Sequence, residues 1–247
     1  MLLAPVPADR RPTRAALLLA GLALYGFSDG LLVLARLGLD PWDVLHQGLS
    51  QATGLQVGTW SVLIGALVLL GWVPLRQRPG VGTACNVVII GVTINATLAV
   101  LSAPHGLPAR AVVLVAGVLL NAVATGAYIG AGLGPGPRDG LSTGIASRGV
   151  SLRLVRTTVE VTVLVVGWLL GGTVGVGTVI YALTIGPLTH LTIPALRLRG
   201  DPATSASTRS ASGSGTQHAC DKPSRVRWRN TLASTRRRRR AQSLTDQ

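Results

Sequence analysis

The stretch Gly38-Leu-Asp-Pro41-Trp-Asp43-Val-Leu45-His-Gln-Gly48 recurs further along the chain as Gly134-Pro-Gly-Pro137-Arg-Asp139-Gly-Leu141-Ser-Thr-Gly144. Both copies have the pattern Gly-x-x-Pro-x-Asp-x-Leu-x-x-Gly, at an offset of 96 residues. A second motif, Gly80-Val-Gly-Thr83, returns as Gly175-Val-Gly-Thr178 at an offset of 95 residues. Two unrelated segments rarely share two such motifs at matching distances. We therefore interpret residues 15–196 as a duplication of one unit of about 95 residues.

The composition of the chain is that of a membrane protein. Of its 247 residues, 48% are hydrophobic and only 13% are charged, whereas a soluble domain carries about 25% charged residues. A helix of roughly 20 apolar residues crosses the hydrocarbon core, and lipid forces the backbone groups to bond within the helix. We therefore predict an all-α polytopic membrane protein with about six transmembrane helices, near residues 15–37, 57–75, 84–103, 111–133, 154–172 and 176–196.

Arginine residues flank the predicted spans unevenly. With six spans, one side of the membrane receives only Arg36 and Arg110, and the other receives Arg10, Arg11, Arg14, Arg76, Arg78, Arg138, Arg148, Arg197 and Arg199. Cytoplasmic loops collect Lys and Arg. We therefore expect the protein in the bacterial plasma (inner) membrane, with residues 1–14 and the C-terminus in the cytoplasm.

Three spans in each unit would invert the second unit relative to the first. The repeats are then residues 15–103 and 111–196, and they enter the membrane from opposite sides. The Pro41–Asp43 loop is expected to face outside and the Pro137–Asp139 loop to face inside. Inverted repeats of this kind are common in secondary transporters, whose substrate site lies where the repeats meet.

Each Pro-x-Asp motif is expected to begin a short interfacial helix, over residues 42–52 and 138–148. Pro41 and Pro137 fit a first helical turn, where an aspartate accepts hydrogen bonds from free backbone amides. Two interpretations of Asp43 and Asp139 remain open. They are helix starts repeated because the fold is repeated, or they are paired carboxylates that line a pathway from opposite faces.

The Gly-Val-Gly-Thr motifs stand just before a predicted span in both units. Glycine lets the backbone approach a neighbour closely, and free amides at a helix N-terminus favour an anion. The motifs therefore either bind an anion or pack helices tightly through small residues. The residues concerned are Gly80, Gly82, Thr83, Gly175, Gly177 and Thr178.

Ionisable side chains inside predicted spans are costly and often functional. Arg156 and Glu160 share one face of the fifth span because they are four residues apart. Glu160 either pairs with Arg156 and locks the packing or, together with Asp29 of the first span, holds a proton or cation. The first unit has Ser61 and Gly65 at the equivalent positions, so this site is asymmetric.

Enzymatic chemistry has little support in the sequence. Gly140-Leu-Ser142-Thr-Gly144 matches the Gly-x-Ser-x-Gly motif of serine hydrolases, with His190 as a conceivable base. That motif needs a strand before the serine, and the context here is a membrane helix, so we expect no enzyme. Cys85 and Cys220 indicate neither a disulfide framework nor a metal site, and no cofactor is predicted.

Residues 201–247 change to a Ser/Thr/Arg-rich composition without apolar periodicity, which predicts a disordered tail. This tail is either a solvated extension without function or a ligand for anionic lipid headgroups. The lipid would contact Arg236, Arg237, Arg238, Arg239 and Arg240. No specific nucleic-acid partner is expected, because such a basic run is unspecific.

The order of these motifs resembles the YczE/YyaS/YitT group of bacterial membrane proteins. The resemblance covers about residues 15–195 and ends before the tail. It implies a multi-spanning plasma-membrane protein and no particular activity. The matching positions are Gly38, Pro41, Trp42, Asp43, Pro79–Thr83, Gly136–Leu141, Arg156, Glu160, Gly171, Gly172 and Gly175–Thr178.

The architecture favours transport or export of a small solute, coupled to protons through Glu160 and Asp29. Two alternatives stay open: a membrane scaffold that assists another enzyme or exporter, and an intramembrane hydrolase at Ser142. The partners expected are the lipid bilayer and a small solute. The many small residues would also permit close helix pairing between copies of the chain.

Overall fold

The computed structural model describes residues 11–198, and within this range the chain forms eight α-helices and no strand. The helices are α1 (Arg11–Ala35), α2 (Pro41–Thr53), α3 (Val57–Trp72), α4 (Val81–Val100), α5 (Leu107–Gly130), α6 (Pro137–Ala146), α7 (Leu152–Leu169) and α8 (Val176–Leu196). The predicted tail at residues 201–247, with its arginine run, lies outside the described residues.

Each of the six predicted spans falls on a helix, namely α1, α3, α4, α5, α7 and α8. By length and apolar composition, four described helices can cross a membrane: α1, α4, α5 and α8. A fifth crossing results if α2 and α3, which meet at a bend of 115°, form one broken span. α7 has 18 residues but carries Arg153, Arg156 and Glu160. The chain is thus an all-helical, multi-pass membrane protein.

The two units are inverted relative to each other. The first helices of the units, α1 and α5, pack along one another, with Gly21 of α1 against Ala127 and Tyr128 of α5. Further along α1, Leu32 lies against Gly117 of α5. Residue numbers therefore rise along α1 where they fall along α5, so the two helices are antiparallel. This arrangement confirms the inverted repeat.

A glycine–threonine contact joins the first and last helices of each unit. Gly30 of α1 packs on Thr97 of α4, and Gly126 of α5 packs on Thr192 of α8. A Cβ atom added at Gly30 would lie 2.6 Å from Thr97 Cγ2, and one at Gly126 would lie 2.8 Å from Thr192 Cβ. No larger side chain fits there. Such close approach through small residues is typical of helix packing in membranes.

Each Gly-Val-Gly-Thr motif docks on the Gly-x-x-Pro loop of the other unit. The Gly82 amide donates to the Leu133 carbonyl at 3.0 Å, and the Gly177 amide donates to the Leu37 carbonyl at 2.8 Å. These two hydrogen bonds are equivalent under exchange of the units. The two repeated motifs therefore hold the two units together.

The threonines of the motifs complete these helix starts. The Thr83 hydroxyl accepts from the Gly80 amide at 3.1 Å, and the Thr178 hydroxyl accepts from the Gly175 amide at 3.3 Å. Thr83 also donates to the Pro135 carbonyl of the second unit at 2.8 Å. The motifs thus pack helices, and binding of an anion at their free amides stays a prediction.

The units differ in how their third and fourth helices meet. α3 packs along α4, where the Gly58 amide donates to Asn95 Oδ1 at 2.8 Å. The equivalent helices α7 and α8 make no extensive contact within residues 11–198. Gly91 of α4 lies against the Gly58 backbone, whereas a Cβ atom added at its counterpart Gly186 would meet nothing within 4 Å. The second unit is therefore open along one side.

Candidate functional site

The short helices α2 and α6 position the repeated aspartates. Their bounds confirm the helices expected after Pro41 and Pro137. Asp40 caps α2, because its carboxylate accepts from the Asp43 amide at 2.6 Å. Gly136 occupies the same position before α6. The free amides and the dipole of a helix start favour the carboxylates held there.

The N-terminal ends of α2 and α6 meet each other. Arg138 Nη1 of α6 donates to Asp40 Oδ2 at 3.2 Å, and Arg138 Nη2 lies 4.0 Å from Asp43 Oδ1. The same guanidinium lies 5.0 Å from the centre of the Trp42 ring. The side chains of Asp40 and Asp43 are 4% and 0% exposed. Arg138 therefore supplies the compensating charge that buried carboxylates require.

This contact brings the starts of α2 and α6 together inside the protein, although the loops before them leave the antiparallel helices α1 and α5. Trp42 and Asp43 are accordingly buried at the start of α2, and α2 is no surface helix there. That the Pro41–Asp43 loop faces outside and the Pro137–Asp139 loop faces inside stays a prediction.

A second ion pair continues the charged chain from α6 to α7. Arg156 Nη2 donates to Asp139 Oδ1 at 2.7 Å, and Arg156 Nε lies 3.5 Å from Glu160 Oε1. The Tyr128 hydroxyl donates to the other Asp139 oxygen at 3.4 Å. Asp139 and Glu160 therefore share one guanidinium. A single charged region thus contains four of the predicted residues together with Asp40 and Arg138. The four are Asp43, Asp139, Arg156 and Glu160.

Asp29 of α1 is fully buried and is hydrogen-bonded to α5. Asn121 Nδ2 donates to Asp29 Oδ1 at 2.8 Å, and the Tyr181 hydroxyl donates to Asn121 Oδ1 at 3.0 Å. Asp29 Oδ2 has no hydrogen-bond partner among the described residues. Asp29 and Glu160 therefore have different partners, and a joint role in holding a proton or cation stays a prediction.

A cavity of about 610 Å³ lies where the two units meet, beside the Arg138–Asp40 pair. Side chains from both units line it, and they combine charges with aromatic rings. Prominent among them are Tyr25, Trp42, Arg138, Asp139, Glu160 and Tyr181. The size is that of a small-molecule site, which typically occupies roughly 300–1,000 Å³.

Sequence reasoning missed His46, which is 1% exposed and lines the cavity. Its Nδ1 lies 3.1 Å from Asp43 Oδ1. The spacing of three residues on a helix would have placed the two side chains together. Arg138 was also missed, although it stands in the repeated motif where the first unit has Trp42.

Ser142 and His190 both line the cavity. The Ser142 hydroxyl donates to the Arg138 carbonyl at 3.2 Å, one helical turn earlier. Within residues 11–198 there is no group of three or more His, Cys, Asp or Glu side chains placed to hold a metal ion.

Comparison with known proteins places this architecture in a family. The model of the family of unknown function DUF6198 matches residues 12–194, which include both units and the charged cavity. The chain belongs to this family. No solved structure matches the chain.

Bacterial relatives of this DUF6198 member cover the same region. A protein of Haemophilus influenzae, named "Uncharacterized protein", is 42% identical over 172 residues, which are 69% of this chain and 79% of that protein. The "Uncharacterized membrane protein YczE" of Bacillus subtilis is 37% identical over 179 residues, 71% and 83% of the two chains. The "Uncharacterized protein YyaS" of the same organism is 28% identical over 181 residues, 70% and 89%. These likenesses support the membrane location and name no activity.

Proposed function

We propose that the protein moves a small solute across the bacterial inner membrane through the cavity between its two units. The observation that carries this proposal is the contact of Arg138 with Asp40 at 3.2 Å, which brings the starts of two short helices from inverted units to one cavity. Secondary transporters commonly bind substrate at such broken helices, where the units meet.

The ion pair provides a reversible link between the units. Arg138 belongs to the second unit, whereas Asp40 and Trp42 belong to the first. A solute that replaces Asp40 as the partner of the Arg138 guanidinium would break the link between the units and let them rock against each other. Rocking of this kind alternates access to a fixed site from the two sides of the membrane.

Glu160 is the residue that couples transport to protons in this proposal. It lines the cavity, its side chain is 46% exposed, and it shares Arg156 with Asp139. Protonation would remove its charge and release Arg156 to Asp139. We place both termini in the cytoplasm, because that orientation puts the arginine-rich loops on the cytoplasmic side.

Alternating access can be tested without knowing the solute. In a Cys85→Ala/Cys220→Ala background, Ser61→Cys places a thiol of similar size in the cavity wall. A membrane-impermeant maleimide is applied to right-side-out and to inside-out vesicles. Val115→Cys is the matched control, because Val115 lies on the exposed surface of α5.

If the protein is a transporter, the maleimide should label Ser61→Cys from both sides of the membrane. It should label Val115→Cys from neither side, because Val115 faces lipid. Labelling of Ser61→Cys from one side only would contradict the proposal. That outcome would favour a membrane scaffold, which has no need of alternating access.

A further inference from the structure

The opening between α7 and α8 has a local cause in the sequence. In the first unit, Gly58 and Asn95 close the equivalent gap, because the Gly58 amide donates to Asn95 Oδ1 at 2.8 Å. At the matching offset of 95 residues, the second unit has Arg153 and His190 instead. Arg153 therefore stands where Gly58 lets the backbones of two helices approach closely. His190 stands where the Asn95 side chain accepts the hydrogen bond.

The opening leads directly into the charged cavity. Gly186 and His190 of α8 and Glu160 of α7 all line that cavity. Glu160 lies about 12 Å along α7 from its first residue, at a rise of about 1.5 Å per residue. A half-exposed carboxylate at this depth of a membrane is costly unless water or a counter-ion accompanies it.

The carboxylates beside the cavity outnumber the guanidinium groups. The guanidinium groups of Arg138 and Arg156 face four carboxylates, those of Asp40, Asp43, Asp139 and Glu160. The three aspartates stand at the starts of α2 and α6, where the helix dipoles favour negative charge. Glu160 stands in the middle of α7, and Arg156 is closer to Asp139, at 2.7 Å, than to Glu160, at 3.5 Å. Among these four carboxylates, Glu160 has the most exposed side chain, at 46%, so it is the one that a ligand in the cavity reaches most readily.

Aromatic and aliphatic side chains form the rest of the wall. Trp42 and three tyrosines line the cavity, and Trp42 already holds one cation, the Arg138 guanidinium, against its ring. Tyr25 and Tyr128 meet edge to face, with ring centres 5.9 Å apart. Aromatic faces attract cations, most strongly where water is scarce. Ile185 and Ile193 add apolar surface from α8 beside the opening.

We infer that the opening between α7 and α8 admits a lipophilic cation from the bilayer, and that Glu160 binds it as the counter-ion. The apolar part of the ligand lies against α8 and the aromatic rings, and its positive centre lies at Glu160. This inference rests on the proposed transport function and names its substrate class.

Tetraphenylphosphonium and tetraphenylborate are suitable probes, because they have the same shape and opposite charge. Binding is measured by equilibrium dialysis against the full chain in phosphatidylcholine nanodiscs. We expect saturable binding of tetraphenylphosphonium and none of tetraphenylborate. Glu160→Gln should weaken the affinity by about tenfold or more, whereas Glu160→Asp, which keeps the charge, should lose less.

The lateral route is tested by Gly186→Leu. The space beside Gly186 accepts a side chain, so this variant should fold, narrow the opening and slow the association of tetraphenylphosphonium several-fold. Unchanged association would overturn the lateral route. Equal binding of the two probes would overturn the role of Glu160. Binding of tetraphenylphosphonium to Glu160→Gln with the affinity of the parent protein would overturn it as well.

Two further outcomes separate this inference from the proposed function. Two-sided labelling of Ser61→Cys without tetraphenylphosphonium binding would overturn the substrate class and leave transport standing. One-sided labelling with charge-selective binding would overturn transport and support the cation site. A disulfide-linked dimer of Gly186→Cys in the cysteine-free background, without probe binding, would show that a second copy of the chain fills the opening and would overturn the inference.

Discussion

Arg138 and Asp40 lie 3.2 Å apart although 98 residues separate them, and they come from opposite units of an inverted repeat. Asp40 is also the cap of α2, so its carboxylate serves a helix start and an ion pair at once. The contact between the units at the cavity therefore depends on a charge pair as well as on apolar packing. Such a pair can exchange partners, which packed aliphatic side chains cannot do.

Replacing Arg138 with glutamine should destabilise the protein strongly. The change leaves the buried carboxylates of Asp40 and Asp43 without their guanidinium, and breaking a buried pair in this way typically costs about 3–5 kcal/mol. Unfolding of the purified protein in a sodium dodecyl sulfate titration measures the loss. The double variant Asp40→Asn/Arg138→Gln should lose less than the sum of the two single changes. Additive losses would show that the two side chains do not interact.

Substitution by alanine should have opposite effects on stability at the equivalent glycines Gly91 and Gly186. A Cβ atom at Gly91 would collide with the Gly58 carbonyl oxygen, so Gly91→Ala should cost about 2 kcal/mol or more. A Cβ atom at Gly186 meets nothing within 4 Å, and alanine is the better helix former by about 1 kcal/mol. Gly186→Ala should therefore unfold at the same detergent concentration as the parent chain or a higher one. Equal destabilisation by both changes would mean that α7 and α8 are packed in the bilayer.

The docking of each unit on the Gly-Val-Gly-Thr motif of the other predicts matched effects at Gly38 and Gly134. Both have positive φ, 119° and 127°. An added Cβ atom would lie 2.7 Å from the Thr178 amide nitrogen at Gly38 and 2.9 Å from Thr83 Oγ1 at Gly134. Alanine at either position should cost about 2 kcal/mol or more.

Gly54→Ala is the control for backbone strain alone. Gly54 has a φ of 79°, and a Cβ atom there meets nothing within 4 Å, so alanine should cost only about 1 kcal/mol. Thermal unfolding followed by loss of monodisperse protein measures all three variants. A Gly54→Ala loss as large as that of Gly38→Ala would assign the effect to strain and not to docking.

Glu160→Gln should separate proton coupling from alternating access. In proteoliposomes containing the internal pH dye pyranine, a pulse of tetraphenylphosphonium should move protons through the parent protein. The glutamine variant keeps the size of the side chain and cannot release a proton, so the dye signal should disappear. Ser61→Cys should still label from both sides in this variant. Persisting proton movement would remove Glu160 from the coupling mechanism.

The duplicated motifs were enough to predict the inverted helical architecture. Gly38-x-x-Pro41 and Gly134-x-x-Pro137 stand before short helices, and each Gly-Val-Gly-Thr motif begins a long one. These are local properties of a chain in lipid, where backbone groups bond within helices and glycine and proline mark the ends. The position of Arg138 against Asp40 could not be predicted, because it depends on how far two distant loops turn back into the protein.

By itself, the sequence determined that the chain is a membrane protein of two related helical units, because composition, motif spacing and helix length are local in origin. It also contains the substitutions of Gly58, Gly65 and Asn95 by Arg153, Glu160 and His190 that make the second unit differ from the first. Only the tertiary structure decided that Glu160 and His190 line one cavity, and that the starts of α2 and α6 meet beside it. Contacts between helices distant in sequence are set by the packing of the whole bundle, in which α1 and α5 are antiparallel.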